Sequence, residues 1–383
     1  MKNWEIKYLN EISENFDSKR IPITKNVRIE GTIPYYGASG IVDYISDYLF
    51  NEDLLCISED GANLLARTYP IAFSIHGKTW VNNHAHVLKF KNVKTQKFVE
   101  IYLNSIKIDD FVSGMAQPKL NQTMLNKIPI PLPPLPEQQR IVAILDEAFL
   151  AIEQSKKNAE KNLQNTKELF ESYLQGIFEN GKLKIKNGEW EEKNLGELCN
   201  IIGGGTPSKG NTKFYDGDIF WATVRDMKGE IVNDTEHKIT KDAVKNSSTN
   251  IIPKGNVIIA TRVGLGKVCM IKNDTAINQD LRGIVPINSK KLSVDFLYRW
   301  LKSISHKIIE EGTGATVQGV KLPFIKSLVV SLPSLKEQKS IVEKLDSLQK
   351  ETKKLEAIYS QKIKDLEELK KSILQKAFSG ELQ

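Results

Sequence analysis

The stretch PLPPLPEQQRIVAIL, residues 131–145, returns as SLPSLKEQKSIVEKL at residues 331–345. Leu132, Pro133, Leu135, Glu137, Gln138, Ile141, Val142 and Leu145 recur as Leu332, Pro333, Leu335, Glu337, Gln338, Ile341, Val342 and Leu345, each 200 positions later. Leu174, Gln175 and Phe178 reappear at the same spacing as Leu374, Gln375 and Phe378, although the residues in between differ. Two elements of equal length, each opened by the same motif, are therefore implied. Trp4, Leu9 and Glu11 match Trp190, Leu195 and Glu197 at a spacing of 186, so 14 residues (200 − 186) are inserted, net, within the second half. Between these flanks the halves share little beyond loose echoes such as Gly114 with Gly314. The order is variable domain, repeated arm, variable domain, repeated arm. Units this large have room for their own cores, which disfavours a solenoid.

The arms read as long helices. From Glu137 to about Glu179, Val142, Leu145, Phe149, Ile152, Ala159, Leu163, Phe170, Tyr173 and Ile177 follow a three-then-four spacing, with Lys156 and Thr166 filling two steps. In the second arm Leu345, Leu348, Leu355, Tyr359, Leu366, Leu369 and Ile373 keep a similar register on a surface dense in Lys and Glu. A rod of roughly 60 Å needs a partner along its length, and each arm supplies one for the other. The second domain begins soon after Ile177, around Gly181 to Trp190, which favours an antiparallel pair. Pro131, Pro133, Pro134 and Pro136, and Pro333 in the second copy, act as stiff joints that deliver the chain into the helices near Glu137 and Glu337. The expected fold is α+β with a pseudo-two-fold internal repeat: two mixed α/β domains, residues 1–132 and 181–332, separated by antiparallel coiled-coil-like helices, residues 133–180 and 333–383.

In the first domain DLLCISE, YPIAFSI and HAHVLKF are predicted strands and TQKFVEIYLNS a helix. In the second, GDIFWATV, GNVIIAT, GKVCMI and LRGIVPI are predicted strands and VDFLYRWLKSISHKII a helix. Both helices precede a glycine-bearing loop, SGMAQPKLNQ and GTGATVQGVKL, and such loops are candidate contact surfaces.

With 383 residues, 40% of them hydrophobic and 26% charged, the chain is an ordinary folded protein of two or more domains. It contains no apolar run long enough to span a bilayer, and MKNWEIKYLNEISE lacks the apolar centre of a secretory signal, so a cytoplasmic location is expected. Cys56, Cys199 and Cys269 are scattered, which argues against a disulfide framework or a thiolate metal cage.

The net charge of +7 suits a polyanionic partner without requiring one. Basic and aromatic groups near turns are the candidate contacts. In the first domain these are Lys19, Arg20, Arg67, Lys78 and Lys119, with Tyr35 and Tyr36 in IPYYGASG. In the second they are Lys209, Lys213, Arg225, Lys228, Arg262, Lys267, Arg282 and Lys321. Arginine can grip guanine through two hydrogen bonds, whereas lysine more often anchors a phosphate.

Catalytic patterns are weak. Gly203, Gly204 and Gly205 before Thr206, Pro207 and Ser208 offer a loop that could approach a phosphate, but no Gly-Lys-Ser/Thr closes it and the dinucleotide spacing is missing. His84 and His86 lack an evident third metal ligand, and Ser58, Asp60 and His76 form no nucleophile–base pattern, so neither a metal nor a catalytic residue is assigned. Methyltransferase, helicase and nuclease signatures are not seen.

IPIPLPPLPEQQRIVAIL, VVSLPSLKEQKSIVEKL, GGGTPSKG, TRVGLGKV and ILQKAFSGELQ together resemble the specificity subunit, HsdS, of Type I restriction–modification systems, over essentially the whole chain. The resemblance implies two target-recognition domains, each reading one half of a bipartite site in double-stranded DNA. It implies two HsdM subunits that use S-adenosylmethionine to methylate adenine at N6. It also implies HsdR subunits that translocate and cleave DNA with ATP and Mg, leaving this chain non-catalytic and without a cofactor of its own. Leu135, Glu137, Gln138 and Ile141, with Leu335, Glu337, Gln338 and Ile341, would lie at partner contacts or helix joints. A rigid rod between two readers would set the length of an unread DNA spacer, because the duplex repeats its groove face every 10 to 10.5 base pairs. Two other readings stay open: a specificity subunit serving a Type II-like methyltransferase, and a two-headed protein-binding adaptor.

Overall fold

A computed structural model describes residues 4–114, 116–178, 190–312 and 319–382. The linker around Gly181 and the centre of GTGATVQGVKL, with Gly314, lie outside them. Two compact units are present: Met1–Glu160 with Ser360–Gln383, and Lys161–Tyr359.

Both arms are single α-helices of 44 residues, Leu135–Phe178 and Leu335–Phe378, each about 66 Å long at the usual rise. They begin two residues earlier than expected. Pro136 falls in the first turn, where a missing N–H leaves no intrahelical bond unmade. Pro131 is not part of a polyproline joint: Ile130–Leu132 is a strand paired antiparallel with Glu5–Lys7, as Val329–Leu332 is with Glu191–Asn194. The second helix opens on a capping box, in which the Ser334 backbone N–H and hydroxyl donate to Glu337 Oε2 at 3.0 and 2.8 Å. Pro134 cannot make the equivalent bond, and Glu137 instead accepts two hydrogen bonds from Arg140.

Within each unit the helices run antiparallel. In the first, Arg140 bonds the Leu382 carbonyl, Phe149 lies under the Lys370 ammonium, and Lys156 pairs with Glu367 at 2.7 Å, so one number rises as the other falls. In the second, Leu174, Ile177 and Phe178 share a core with Ile341 and Leu345. The expected stripe is buried at Leu145, Ile152, Ala159, Thr166 and Ile177. Tyr173 is exposed and its neighbour Leu174 takes the inward position. Phe378 packs edge-on against Phe98 at 5.4 Å, and Phe178 against Phe296 at 5.3 Å. The repeated phenylalanine thus serves the same purpose twice.

The repeat extends through the domains themselves. In the first unit one sheet runs Ser13–Asn15, Ala85–Phe90, Leu54–Ser58, Ala72–Ile75, and the other Gly40–Ile45, Glu30–Gly37, Lys78–Val81, Phe50–Asn51. The second unit repeats both orders: Cys199–Gly203, Leu281–Pro286, Val257–Ala260, Val268–Ile271, with Ile231–Val232 added, and His237–Ile239, Ile219–Ala222, Thr275–Ile277, Asn250–Ile252. Even the parallel pair recurs, Tyr35 and Tyr36 beside Trp80 and Val81, and Phe220 to Ala222 beside Thr275 to Ile277. The predicted strands are all present. The predicted second helix is broken at Ile304 into Val294–Ser303 and Ser305–Glu310. All three cysteines are buried free thiols, and burial pushes Cys199 up to about 12.

Candidate nucleic-acid interface

The first unit uses several of its expected contact residues internally. The Tyr35 ring is 1% exposed, its hydroxyl accepts from the Ile23 N–H at 3.0 Å, and the Arg28 guanidinium covers its face. Arg67, at φ 53°, donates to the Ile106 and Leu103 carbonyls at 2.6 and 3.4 Å and so caps the C-terminus of helix Val93–Ser105. Burial lowers its pKa. Arg20 bonds Glu59 at 2.7 Å and the Ala85 carbonyl at 2.6 Å, and approaches Asp17 at 3.6 Å. Tyr35, Arg67 and Arg20 thus each have partners within the domain. Tyr36 is half-buried against Phe73. Lys19 sits over Phe16, Lys78 over Tyr48, and Lys119 pairs with Glu59 at 3.2 Å while remaining 53% exposed.

Arg20 belongs to a buried charge network. A carboxylate oxygen of Asp17, one of Glu59 and a ring nitrogen of His86 lie within 4.8 Å of one another. Arg20 and Lys119 supply the cations there, and both ring nitrogens of His86 have partners, Asp17 at 2.6 Å and the Leu120 carbonyl at 2.7 Å. Burial alone would raise the Asp17 and Glu59 carboxyls. The bonds from His86 and Val87 at Asp17, and from Arg20 and Lys119 at Glu59, outweigh it and hold both below their ordinary values.

In the second unit all the expected residues but Arg282 are exposed. Lys209 and Arg225 line a cleft of about 810 Å³ floored by Trp221 and flanked by Tyr215 and His237. Tyr215 meets Trp221 edge-on at 5.9 Å, and the Trp221 N–H donates to the Gly205 carbonyl at 3.2 Å. Sequence reasoning placed Trp221 in a strand and missed its aromatic neighbours, since His237 comes alongside only through strand pairing and Tyr215 through the turn before the strand. Gly204 and Gly205 are not a phosphate cradle: a Cβ would lie 2.1 Å from the Asn278 carbonyl oxygen or 2.2 Å from the Ser248 hydroxyl. The run is a close backbone crossing that only glycine allows.

A second cleft, about 620 Å³, gathers Lys228, Lys267, Lys302 and Lys353 around Glu230. Lys353 pairs with Glu230 at 2.6 Å, and Gln349 donates to the same oxygen at 2.9 Å. Burial opposes, but the bond from Lys353 and the nearby Arg299 and Lys302 charges keep the Glu230 carboxyl below its usual value. Lys302 and Lys353 carried no pattern that pointed to them. Lys213 and Lys321 are exposed, Arg262 is 47% exposed and lies 3.7 Å from Asp280, and Arg282 is half-buried beside Gly203.

The joint residues divide in two. Gln138 is buried, donates to the Pro133 carbonyl at 2.8 Å and accepts from Thr95 at 2.8 Å. Gln338 is fully buried, donates to the Pro333 and Lys291 carbonyls at 2.9 and 2.8 Å, and accepts from the Ser293 N–H at 2.9 Å. Each glutamine brackets a long helix to the start of its domain helix, and Ile141 and Ile341 are buried beside them. Leu135 and Leu335 stay 37% and 40% exposed.

Two mixed α/β domains on one repeated frame, with exposed cations on each, define a class of two-domain protein suited to a polyanion. The family model for the Type I restriction modification DNA specificity domain matches residues 1–161 and 187–365. A putative type I restriction enzyme specificity subunit of Haemophilus influenzae is 29% identical over 90% of this chain and 87% of that protein. The EcoR124I/EcoR124II specificity subunit of Escherichia coli is 32% identical over 65% of this chain and 62% of its own length. In fold, the crystal structure of the HsdS subunit from Thermoanaerobacter tengcongensis covers 100% of this chain and 98% of its own at 19% identity, with a TM-score of 0.68. A chain solved in a study of complex assembly and conformational transition of the type I R-M system reaches 0.76, also at 19% identity, covering 100% of this chain and 99% of its own. The chain belongs to the Type I restriction–modification DNA specificity family. It is a non-catalytic DNA-specificity subunit. No helix among the described residues is long and apolar enough to cross a membrane.

Proposed function

We propose that the chain reads an asymmetric, two-part site in double-stranded DNA, one half with residues 1–132 and the other with residues 181–332. The observation that carries this reading is the recurrence of one two-sheet frame under different loops. A common frame places loops alike, while unlike side chains read unlike bases. Among the basic candidates, Lys19, Lys78 and Lys119 in the first domain and Lys209, Lys213, Arg225, Lys228, Arg262, Lys267, Arg282 and Lys321 in the second are the leading contacts.

The duplicated frame also suits two copies of one partner. We take these to be HsdM methyltransferase subunits that bring S-adenosylmethionine and methylate adenine at N6, joined in the cytoplasm by HsdR with ATP and Mg. Exposed Leu135 and Leu335 are among the repeated residues available to such a partner. Single-molecule mapping of N6-methyladenine in cells expressing the chain with its methyltransferase tests the reading. A bipartite motif with unlike halves is expected, and a palindrome or an unmethylated genome would refute it.

A further inference from the structure

The shared frame lets residues of the two domains be matched without sequence similarity. Leu55 pairs with Leu88, which pairs with Asn15; Val257 pairs with Ile284, which pairs with Ile201. Beyond these strands the Leu120 N–H bonds the Glu59 carbonyl at 2.7 Å, and the Val320 N–H bonds the Thr261 carbonyl at 2.8 Å. Asp60 and Arg262, the next residues, are therefore counterparts. On the facing segment the Asn82 N–H bonds Tyr36 and the Asn278 N–H bonds Ala222, each at 3.0 Å. Two residues on, the His84 N–H donates to the Asn82 side chain at 2.8 Å and the Asp280 N–H to the Asn278 side chain at 3.1 Å. His84 and Asp280 are counterparts too.

At this matched place the pair is reversed. In the first domain Asp60, whose side chain is 19% exposed, holds His84, 50% exposed, at 2.8 Å. In the second Asp280, 15% exposed, stands 3.7 Å from Arg262, 47% exposed. The positions have exchanged roles, yet both domains keep a sheltered carboxylate behind an exposed nitrogen group. A carboxylate behind a ligand-facing nitrogen orients it, as it does for histidines in other sites. Asp60 takes one ring nitrogen of His84, leaving Nε2 for a single hydrogen bond. Arg262 has a fork of N–H donors, faces Asp280 as an ion pair rather than a hydrogen bond, and makes no side-chain hydrogen bond among the described residues. The paired loops noted in the sequence abut both places, with Lys119 bridged to Asp60 and Gly319 beside the Arg262 side chain.

We propose that His84 and Arg262 are matched specificity-determining residues, each contacting a base edge at the corresponding position of its half-site, through one bond from His84 and a two-bond grip on guanine from Arg262. The inference rests on the chain being the DNA reader of its complex. It goes further by naming an orienting carboxylate for each domain and adding a histidine that charge alone would not select.

The test uses the full chain co-expressed with its methyltransferase partner, with methylated motifs mapped genome-wide and binding measured across salt. Arg262→Lys keeps the charge and loses the fork, so discrimination at one guanine of one half-site should fall roughly tenfold to a hundredfold. His84→Ala should relax one position of the other half-site by a smaller factor, with spacer and opposite half unchanged. Asp60→Asn and Asp280→Asn loosen the same groups without removing them and should give weaker versions of each effect. These variants also guard against a misfolded substitution. Wild-type motifs from both Arg262→Lys and His84→Ala would overturn the proposal. So would weakening that is equal at all sequences and accompanied by a shallower salt dependence, which marks a phosphate contact. If the wild-type complex itself binds no specific sequence, the DNA-reading function falls, and that failure is distinguishable.

Discussion

Gln338→Leu separates a structural bracket from a partner contact. Leucine has a similar volume, so the substitution leaves little cavity but strands two carbonyls, of Pro333 and Lys291, and the Ser293 N–H, all now bonded between 2.8 and 2.9 Å. The three bonds contribute about 1 kcal/mol each, and a buried group left unpaired costs more than the average, so about 3 kcal/mol is expected. In a unit the size of Lys161–Tyr359 this lowers the melting temperature by roughly 6–12 °C. Gln138→Leu breaks two bonds and should cost about 2 kcal/mol in the other unit. Calorimetry of the free chain measures the sizes and hydrogen exchange the places, with protection lost around 291–303 for one variant and 93–105 for the other. If Gln338→Leu leaves stability intact while abolishing methyltransferase assembly, the residue is a partner contact and the bracket is refuted.

Gly204→Ala should cost about 3 kcal/mol or more in urea unfolding, because the new methyl would meet backbone oxygens at 2.1 and 2.3 Å. Gly210→Ala, with only the Ser208 hydroxyl 3.9 Å away, should be near neutral. The Asp17 and Glu59 carboxyls are held below their ordinary values, so their contribution is full above the unfolded values of about 4 and is lost as pH falls through the lower folded ones. Stability of the first unit should accordingly drop on acidification below about pH 4.5, and Asp17→Asn should flatten that slope; a wild-type-like slope would exclude the network as its cause. In the lysine cleft, Lys302→Gln or Lys353→Gln should lower the logarithmic salt slope of DNA binding by about 0.9 each at every sequence, while Glu230→Gln should tighten binding at every sequence. Unchanged slopes in both lysine variants would place that cleft off the DNA.

The arms and the strands were legible because both rest on periodicity, and the offset of 200 reported their equal length. The common frame of the domains was not legible, since sheet order depends on pairing between distant residues and two unlike sequences satisfy it. Tyr35 and Arg67 show the same limit at single residues. Both types favour nucleic-acid surfaces, yet burial under Arg28 and the capping of a helix C-terminus are decided by tertiary neighbours. Gln138 and Gln338 were legible as important through repetition alone, but their role required knowing that Thr95 and Ser293 come alongside.

The insertion noticed in the sequence gains a physical meaning from the matched frame. Strands Glu30–Gly37 and Gly40–Ile45 are joined by only Ala38 and Ser39, whereas Ile219–Ala222 and His237–Ile239 are joined by residues 223–236. That longer excursion carries Arg225 to one cleft and Lys228 and Glu230 to the other, and adds the strand Ile231–Val232 to the edge of its sheet. Glu230 then bonds Lys353 and Gln349 on the second long helix. The excursion is thus anchored at its middle as well as its ends, which limits the entropy it would lose on meeting a ligand. Ala38 and Ser39 cannot reach so far, so the first domain must present its contacts on shorter segments. The two domains therefore differ in the charge of the surface they offer as well as in side-chain identity, and the excursion accounts for two of the second domain's exposed basic residues, Arg225 and Lys228.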